Sequence, residues 1–378
     1  MIMEFETNPA KRTFTWTARV LSALQLDGPL VTGIGLLVTV SLVVLYSSSG
    51  QSWAVVSSQA MKFALAVVGM LVIAQLPPRL LRMSAPWLYA TGLLLLLAVM
   101  FKGDISLGAQ RWLDLGFVRF QPSEIMKIAV PLFCAWYVHE RPLPPSFLTI
   151  VVLVIAILVP VLIIAEQPDL GTSLLVASAG AMALLLSGLQ KRYMAGVIGA
   201  LVPTVWIAWH YLLHDYQKQR VLTFLDPQAD PLGSGYHIIQ SQIAIGSGGI
   251  FGKGYLNGSQ AQLEYLPERS TDFIFAVIGE EWGLIGLTTV LLLYLFVISR
   301  SLYIATAAQD TFARVIAGSL GLTFAVYVFV NTGMVTGLLP VVGVPLPLIS
   351  FGGTSMVTLM AGFGIMMAVN ARRRLVGR

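Results

Sequence analysis

Ten long apolar runs, at about 30–47, 55–76, 86–101, 122–139, 147–165, 172–189, 193–213, 272–299, 312–337 and 349–371, constrain this chain more than any other feature. About 20 apolar residues in helical form cross the hydrocarbon of a bilayer, and these runs lack the polar face that an outer helix of a soluble domain needs. A mean hydropathy of +0.80 with only 11% charged residues lies well outside the soluble range. The runs do not alternate as outer-membrane strands do. The expected fold is an all-α polytopic integral membrane protein of about ten transmembrane helices.

An even number of spans puts both termini on one side. With the ends inside, 14 of the 23 Lys and Arg residues fall in inner segments and seven in outer loops, which makes the termini cytoplasmic. Residues 1–29 then form a cytoplasmic N-terminal tail with no signal-peptide pattern, 30–371 the membrane domain, and 372–378 a basic cytoplasmic tail. The long loop 214–271, between the seventh and eighth spans, faces outward. A shorter outer segment, 102–121, mixes Trp112, Phe117 and Phe120 with charges and is expected to lie amphipathically at the interface. Residues 338–353 (LLPVVGVPLPLISFGG) are apolar yet broken by Pro and Gly, as in a re-entrant stretch buried against protein.

Several chemistries fall away. Cys134 is the only cysteine, so no intramolecular disulfide forms. His210, His214 and His237 lack metal-ligand spacing, and no residue is assigned to a resident metal. Gly246, Gly248, Gly249, Gly252 and Gly254 are not a phosphate loop, since no GK[ST] follows; they let an irregular segment bend against the membrane surface. The basic residues do not cluster with aromatics, and no nucleic-acid partner is expected.

Polar chemistry concentrates in 237–283, next to the eighth span. Asp272 ends the run LPERSTD where the chain enters that span; it is either an acid placed for the helix dipole or a functional carboxylate. Glu280 and Glu281 lie about 12 Å deeper at 1.5 Å per residue, with at least one facing inward, and Gly279 and Gly283 form a small-residue face for close helix contact. Lys253 and Arg269 have the charge to neutralise a phosphate. Glu124 and Lys127, three apart inside the fourth span, can pair on one face, either to lock helices together or to face a polar cavity.

The segments WLDLGFVRFQPSEIMKIAVP (112–131), AEQPDLGTS (165–173), YHIIQSQIAIGSGGIFGKG (236–254), LPERSTDFIFAVIGEEWG (266–283) and PLPLISFGGTS (345–355) together resemble the SEDS family, closest to its RodA branch, with FtsW and SpoVE as relatives. The resemblance runs from about the first span to the C-terminus. It implies a peptidoglycan glycosyltransferase of the bacterial inner membrane that serves cell elongation and rod shape. Such an enzyme polymerises lipid II into β-1,4 glycan strands with release of undecaprenyl diphosphate. It works with a class B penicillin-binding protein, a transpeptidase, among other elongation-complex proteins and membrane lipid.

The resemblance also implies roles. Asp272 matches the family's essential acid, and Glu124 and Lys127 match its fourth-span pair. An α-linked donor giving a β-linked product requires one inverting displacement, with a base on the acceptor hydroxyl and positive charge on the leaving diphosphate. Asp272 is then the base, and Lys253, Arg269 or Arg111, with or without a divalent cation (magnesium or manganese), hold the diphosphate. The competing readings are a lipid II flippase and a non-catalytic scaffold for the transpeptidase.

Overall fold

A computed structural model describes residues 24–106, 109–114, 119–213, 215–230 and 233–376. Most of the N-terminal tail and the last two residues of the C-terminal tail lie outside them. The chain forms α1 (Gly28–Ser48), α2 (Trp53–Gln75), α3 (Pro78–Lys102), β1 (Asp104–Ser106), β2 (Ala109–Asp114), β3 (Arg119–Phe120), α4 (Pro122–His139), α5 (Phe147–Glu166), α6 (Leu170–Leu186) and α7 (Lys191–Ile207). It continues with α8 (Asp215–Leu225), α9 (Ser234–Gly248), α10 (Ser259–Gln262), α11 (Ile274–Thr306), α12 (Thr311–Thr336) and α13 (Thr354–Val376).

Each of the ten apolar runs is helical, because a helix satisfies every backbone donor and acceptor within its own segment. Among the described residues seven helices are long and apolar enough to cross a membrane: α1, α2, α3, α5, α11, α12 and α13. The other three runs are shorter or more polar. Glu124 and Lys127 interrupt α4, α6 has 17 residues, and α7 has 17 and continues through a π-helical turn, Ala208–Leu212. The ten-span count is therefore approximate. At the centre stands α12, 72% of whose apolar window is buried, against 22% for α3.

Two contacts define the opposite faces of the bundle. Asp27 caps α1 by accepting from Leu30 N at 3.1 Å, and its carboxylate also takes Arg300 Nη2 at 2.7 Å and Asn370 Nδ2 at 2.8 Å. The start of α1 and the far ends of α11 and α13 thus share one face. At the other end of α1, Ser270 Oγ donates to Ser48 O at 3.1 Å. The loop carrying Asp272 lies on this second face.

Within the segment 102–121, expected at the interface, the described residues form an antiparallel three-stranded sheet, order β1-β2-β3, pairing Ile105 with Gln110 and Leu113 with Phe120. Glycines at 103, 108 and 116 interrupt any helical run there, and the short stretches between them pair instead. The long loop carries α8, α9 and α10.

The eighth span also differs. Its helix starts at Ile274 and breaks at Gly283, whose φ of 65° and ψ of −160° are open only to glycine. Gly283 is therefore a break and not part of a helix-packing face; Gly279 keeps that role, against Ile245 of α9. The glycine-rich stretch packs into the break. Lys253 N and Gly254 N donate to Glu280 O and Glu281 O at 2.9 and 3.0 Å, and Leu284 N donates to Gly249 O at 2.9 Å. A Cβ on Gly283 would collide with the backbone of Ile250 and Gly252. Groups that a helix break would leave bare are thereby paired.

Candidate active site around Asp272

Asp272 sits in a tight turn just before α11. Thr271 N and Phe273 N both donate to Glu268 O, at 3.1 and 3.2 Å, and Glu268 itself has φ 50°. The Pro/Gly segment 338–353 packs against this turn without regular structure, and Val344, Leu346, Leu348 and Ile349 are buried. Three successive carbonyls of the turn are held from outside it. Phe351 N donates to Ser270 O at 2.8 Å, Ser350 Oγ to Thr271 O at 2.5 Å, and Asn331 Nδ2 to Asp272 O at 2.9 Å. The same Asn331 Nδ2 donates to Val344 O at 2.8 Å, so one amide of α12 ties both segments together.

The Asp272 side chain meets a wall with no side chain of its own. Gly343, at φ 72°, leaves the space where a Cβ would stand 3.6 Å from Asp272 Oδ2. Burial raises the Asp272 carboxyl from 3.8 to about 6, the negative charge of Glu268 adds to the rise, and Arg220 opposes it. An aspartate of this kind is ionised at neutral pH yet more basic than a free one. His237 of α9 stacks on Phe273 with centroids 5.7 Å apart. Burial lowers the His237 pKa, against the pull of Glu268.

Glu124 and Lys127 form an ion pair at 2.6 Å, both almost fully buried. The Lys127 ammonium lies 5.2 Å over the Tyr327 ring, and among the described residues Glu124 Oε2 has no hydrogen-bond partner. A small, partly open pocket lies beside Lys127 and Tyr327, with Thr323 and Thr358 in its otherwise apolar wall. Tyr327 and Asn331 are four apart on α12 and so share a face, which links the pair to the Asp272 turn.

The three cations expected at a diphosphate have internal partners. Lys253 Nζ lies 2.7 Å from Glu280 Oε1, whose carboxylate is fully buried and also accepts from Ser259 Oγ, Gln260 N and Ala261 N. A buried carboxylate needs a counter-charge, and Lys253 supplies it to Glu280. Arg269 donates to Ala261 O and pairs with exposed Glu264 at 3.0 Å. Arg111 Nη2 donates to Pro168 O at 2.6 Å and Nη1 stands 3.9 Å from Asp169, which caps α6. Through Gly171, packed against Val342 O, that motif adjoins Gly343 and Asp272. Glu281 accepts from Ser47 Oγ, so both glutamates face inward.

Segments far apart in the sequence thus meet around one turn. Residues 23–375 match the family model described as "Cell cycle protein", which gathers FtsW, RodA and SpoVE. The chain belongs to this family.

Within the FtsW/RodA/SpoVE family the chain lies with RodA. It is 51% identical over 371 residues, 98% of this chain and 99% of the other, to "Peptidoglycan glycosyltransferase MrdB" of Escherichia coli strain K12. It is 38% identical over 352 residues to the protein of the same name from Helicobacter pylori, covering 90% of this chain and 89% of that one. Among solved structures it resembles a chain of a peptidoglycan synthase complex studied for the coordination of polymerization and crosslinking. That likeness has TM-score 0.80 and 32% identity, and covers 92% of this chain and 98% of the other. It also resembles RodA of Thermus thermophilus, TM-score 0.70 and 27% identity, over 92% and 97%.

Reasoning from the sequence passed over Asn331, Tyr327, Gly343 and Arg220. Asn331 was within reach, because an amide inside an apolar helix is costly unless it has a task. Gly343 was not, since its meaning depends on which carboxylate it faces.

Proposed function

We propose that Asp272 is the general base at the polymerisation site of this peptidoglycan glycosyltransferase. The activity follows from membership of the family and from near full-length identity to enzymes of that name. The single observation that supports the role of Asp272 is its carboxyl: raised to about 6 by burial and Glu268, held by its own backbone to α12, and facing a glycine wall.

Asp272 takes the proton from the 4-hydroxyl of the acceptor GlcNAc as that oxygen attacks the anomeric carbon of the donor. The C1–O bond to the diphosphate breaks on the opposite side, and the α-linkage becomes β-1,4. Undecaprenyl diphosphate leaves with the electron pair. Arg220, already within electrostatic reach of Asp272, and Arg111, through the Asp169–Gly171 link, are the cations best placed to face the leaving group. Among the described residues no group of three or more His, Cys, Asp or Glu could cage a metal ion. Glu268 and Asp272 do offer the one or two carboxylates that magnesium or manganese takes when substrate phosphates complete its shell, and such an ion would neutralise charge on the diphosphate.

The chain is an integral membrane protein, with exposed apolar faces on its outer helices for lipid. We further propose that it resides in the bacterial inner membrane with residues 1–29 and 372–378 cytoplasmic, as the distribution of basic residues supports. A class B penicillin-binding protein is its partner for cross-linking, a reading supported by the likeness to a chain of the peptidoglycan synthase complex; elongation-complex proteins are further partners. The test is polymerisation of labelled lipid II by the purified protein with that partner, comparing the parent with Asp272→Asn. Glycan strands from the parent and a rate lower by about 10²–10⁴ from the variant are expected, and a near-normal rate from the variant would overturn the assignment.

A further inference from the structure

Lys62 is a second lysine embedded in the membrane domain, and the chemistry at Asp272 leaves it without a task. It stands nine residues after Trp53 in α2, about 14 Å along the helix axis from the end that shares a face with the Asp272 turn. Lys127 has Glu124 at 2.6 Å. Lys62 has no carboxylate within 4 Å among the described residues. Its ammonium lies 3.9 Å over the ring of Phe351, and its chain runs beside Gly353, where a Cβ would stand 3.7 Å from Lys62 Cδ.

This position belongs to the frame of the proposed active site. One turn earlier on α2, fully buried Gln59 donates to Ser350 O at 3.2 Å and accepts from Gly352 N at 3.4 Å. Phe351 N and Ser350 Oγ in turn hold Ser270 O and Thr271 O. Lys62 is therefore one residue contact away from the turn that carries Asp272, half-exposed at the seam between α2 and the start of α13. A lone ammonium in an apolar span is costly unless it faces an anion or a wet cavity. The cations expected to hold phosphate, Lys253 and Arg269, are engaged elsewhere.

We propose that Lys62 binds the phosphate of a lipid at a site bounded by Phe351 and Gly353. Two lipids bring that chemistry: the polyprenyl diphosphate of the substrate, a reading that rests on the function proposed above, and the headgroup of an anionic phospholipid. A phosphate suits an ammonium that needs a compact anion, and Phe351 holds the ammonium in place without neutralising it.

The full chain is placed in nanodiscs of phosphatidylcholine alone, or with added phosphatidylglycerol, as the parent, Lys62→Gln and Lys62→Arg. Equilibrium binding of undecaprenyl diphosphate and retention of phosphatidylglycerol by native mass spectrometry are measured. In phosphatidylcholine discs Lys62→Gln should bind undecaprenyl diphosphate roughly tenfold more weakly, with Lys62→Arg close to the parent. Loss of phosphatidylglycerol retention alone would place the site on the phospholipid. Unchanged binding of both lipids in a folded Lys62→Gln chain would overturn the proposal. If Lys62→Gln fails to fold, Lys62→Met is measured in its place: weaker binding of either lipid at parental stability supports the proposal, and unchanged binding of both overturns it. Because binding involves no turnover, an active Asp272→Asn chain would remove the base assignment and leave this result standing.

Discussion

The side-chain amide of Asn331 donates to the backbone carbonyl of Asp272 at 2.9 Å, from the most buried helix of the bundle. The same nitrogen reaches Val344 O, so two irregular segments share one anchor. Asn331→Ala removes the donor and strands two carbonyls, at a cost of about 1–3 kcal/mol for each buried group left unpaired. The variant should have a lower Tm, a reduced kcat and a displaced pH profile for polymerisation. A profile identical to the parent's at reduced Tm would confine Asn331 to stability.

The raised carboxyl of Asp272 sets the acid limb of the reaction. A base must be ionised, so the rate should climb with pH through about 6 and level off above it. Burial disfavours the charged form, so the folded state holds this proton more tightly than the unfolded chain. Stability from this group therefore increases as pH falls from about 6 towards 3.8 and is lost again as pH rises through about 6. Asp272→Asn removes the buried charge and should be no less stable than the parent at pH 7, while its polymerisation falls by about 10²–10⁴. Activity and Tm falling together would mark Asp272 as structural.

Glu124 and Lys127 test separately. Lys127→Ala leaves a buried carboxylate without its partner and should cost about 3–5 kcal/mol, read as lost membrane yield and Tm. Glu124→Gln with Lys127→Met should restore folding. Restored folding without polymerisation would place the pair in the reaction; recovery of both would reduce it to a helix lock.

Lys253 and Glu280 make a different kind of pair. Lys253→Met should lower Tm by loosening the loop packed into the α11 break, with the KM for lipid II unchanged. A raised KM at parental Tm would return Lys253 to the diphosphate.

Orientation is checked by single-cysteine labelling in a Cys134→Ser background. Leu263→Cys, at an exposed position of the outer loop, should react with a membrane-impermeant thiol reagent in intact spheroplasts. Reaction only after permeabilisation would invert the topology.

The apolar runs by themselves determined that this chain crosses a membrane many times, because no other solvent accepts helices without a polar face. The motifs identified the family, and Asp272 and the Glu124–Lys127 pair were legible as ionised groups in costly places. Tertiary structure alone decided how the cations are distributed. Lys253 and Arg269 carry the charge a phosphate needs, but only the fold shows that buried Glu280 and exposed Glu264 stand beside them. The glycines read as the same ambiguity. Gly283 looked like helix packing and Gly343 like loop, yet one breaks α11 and the other, at φ 72°, turns the chain against Asp272. A residue without a side chain has no chemistry of its own to read, so its meaning is set by what approaches it.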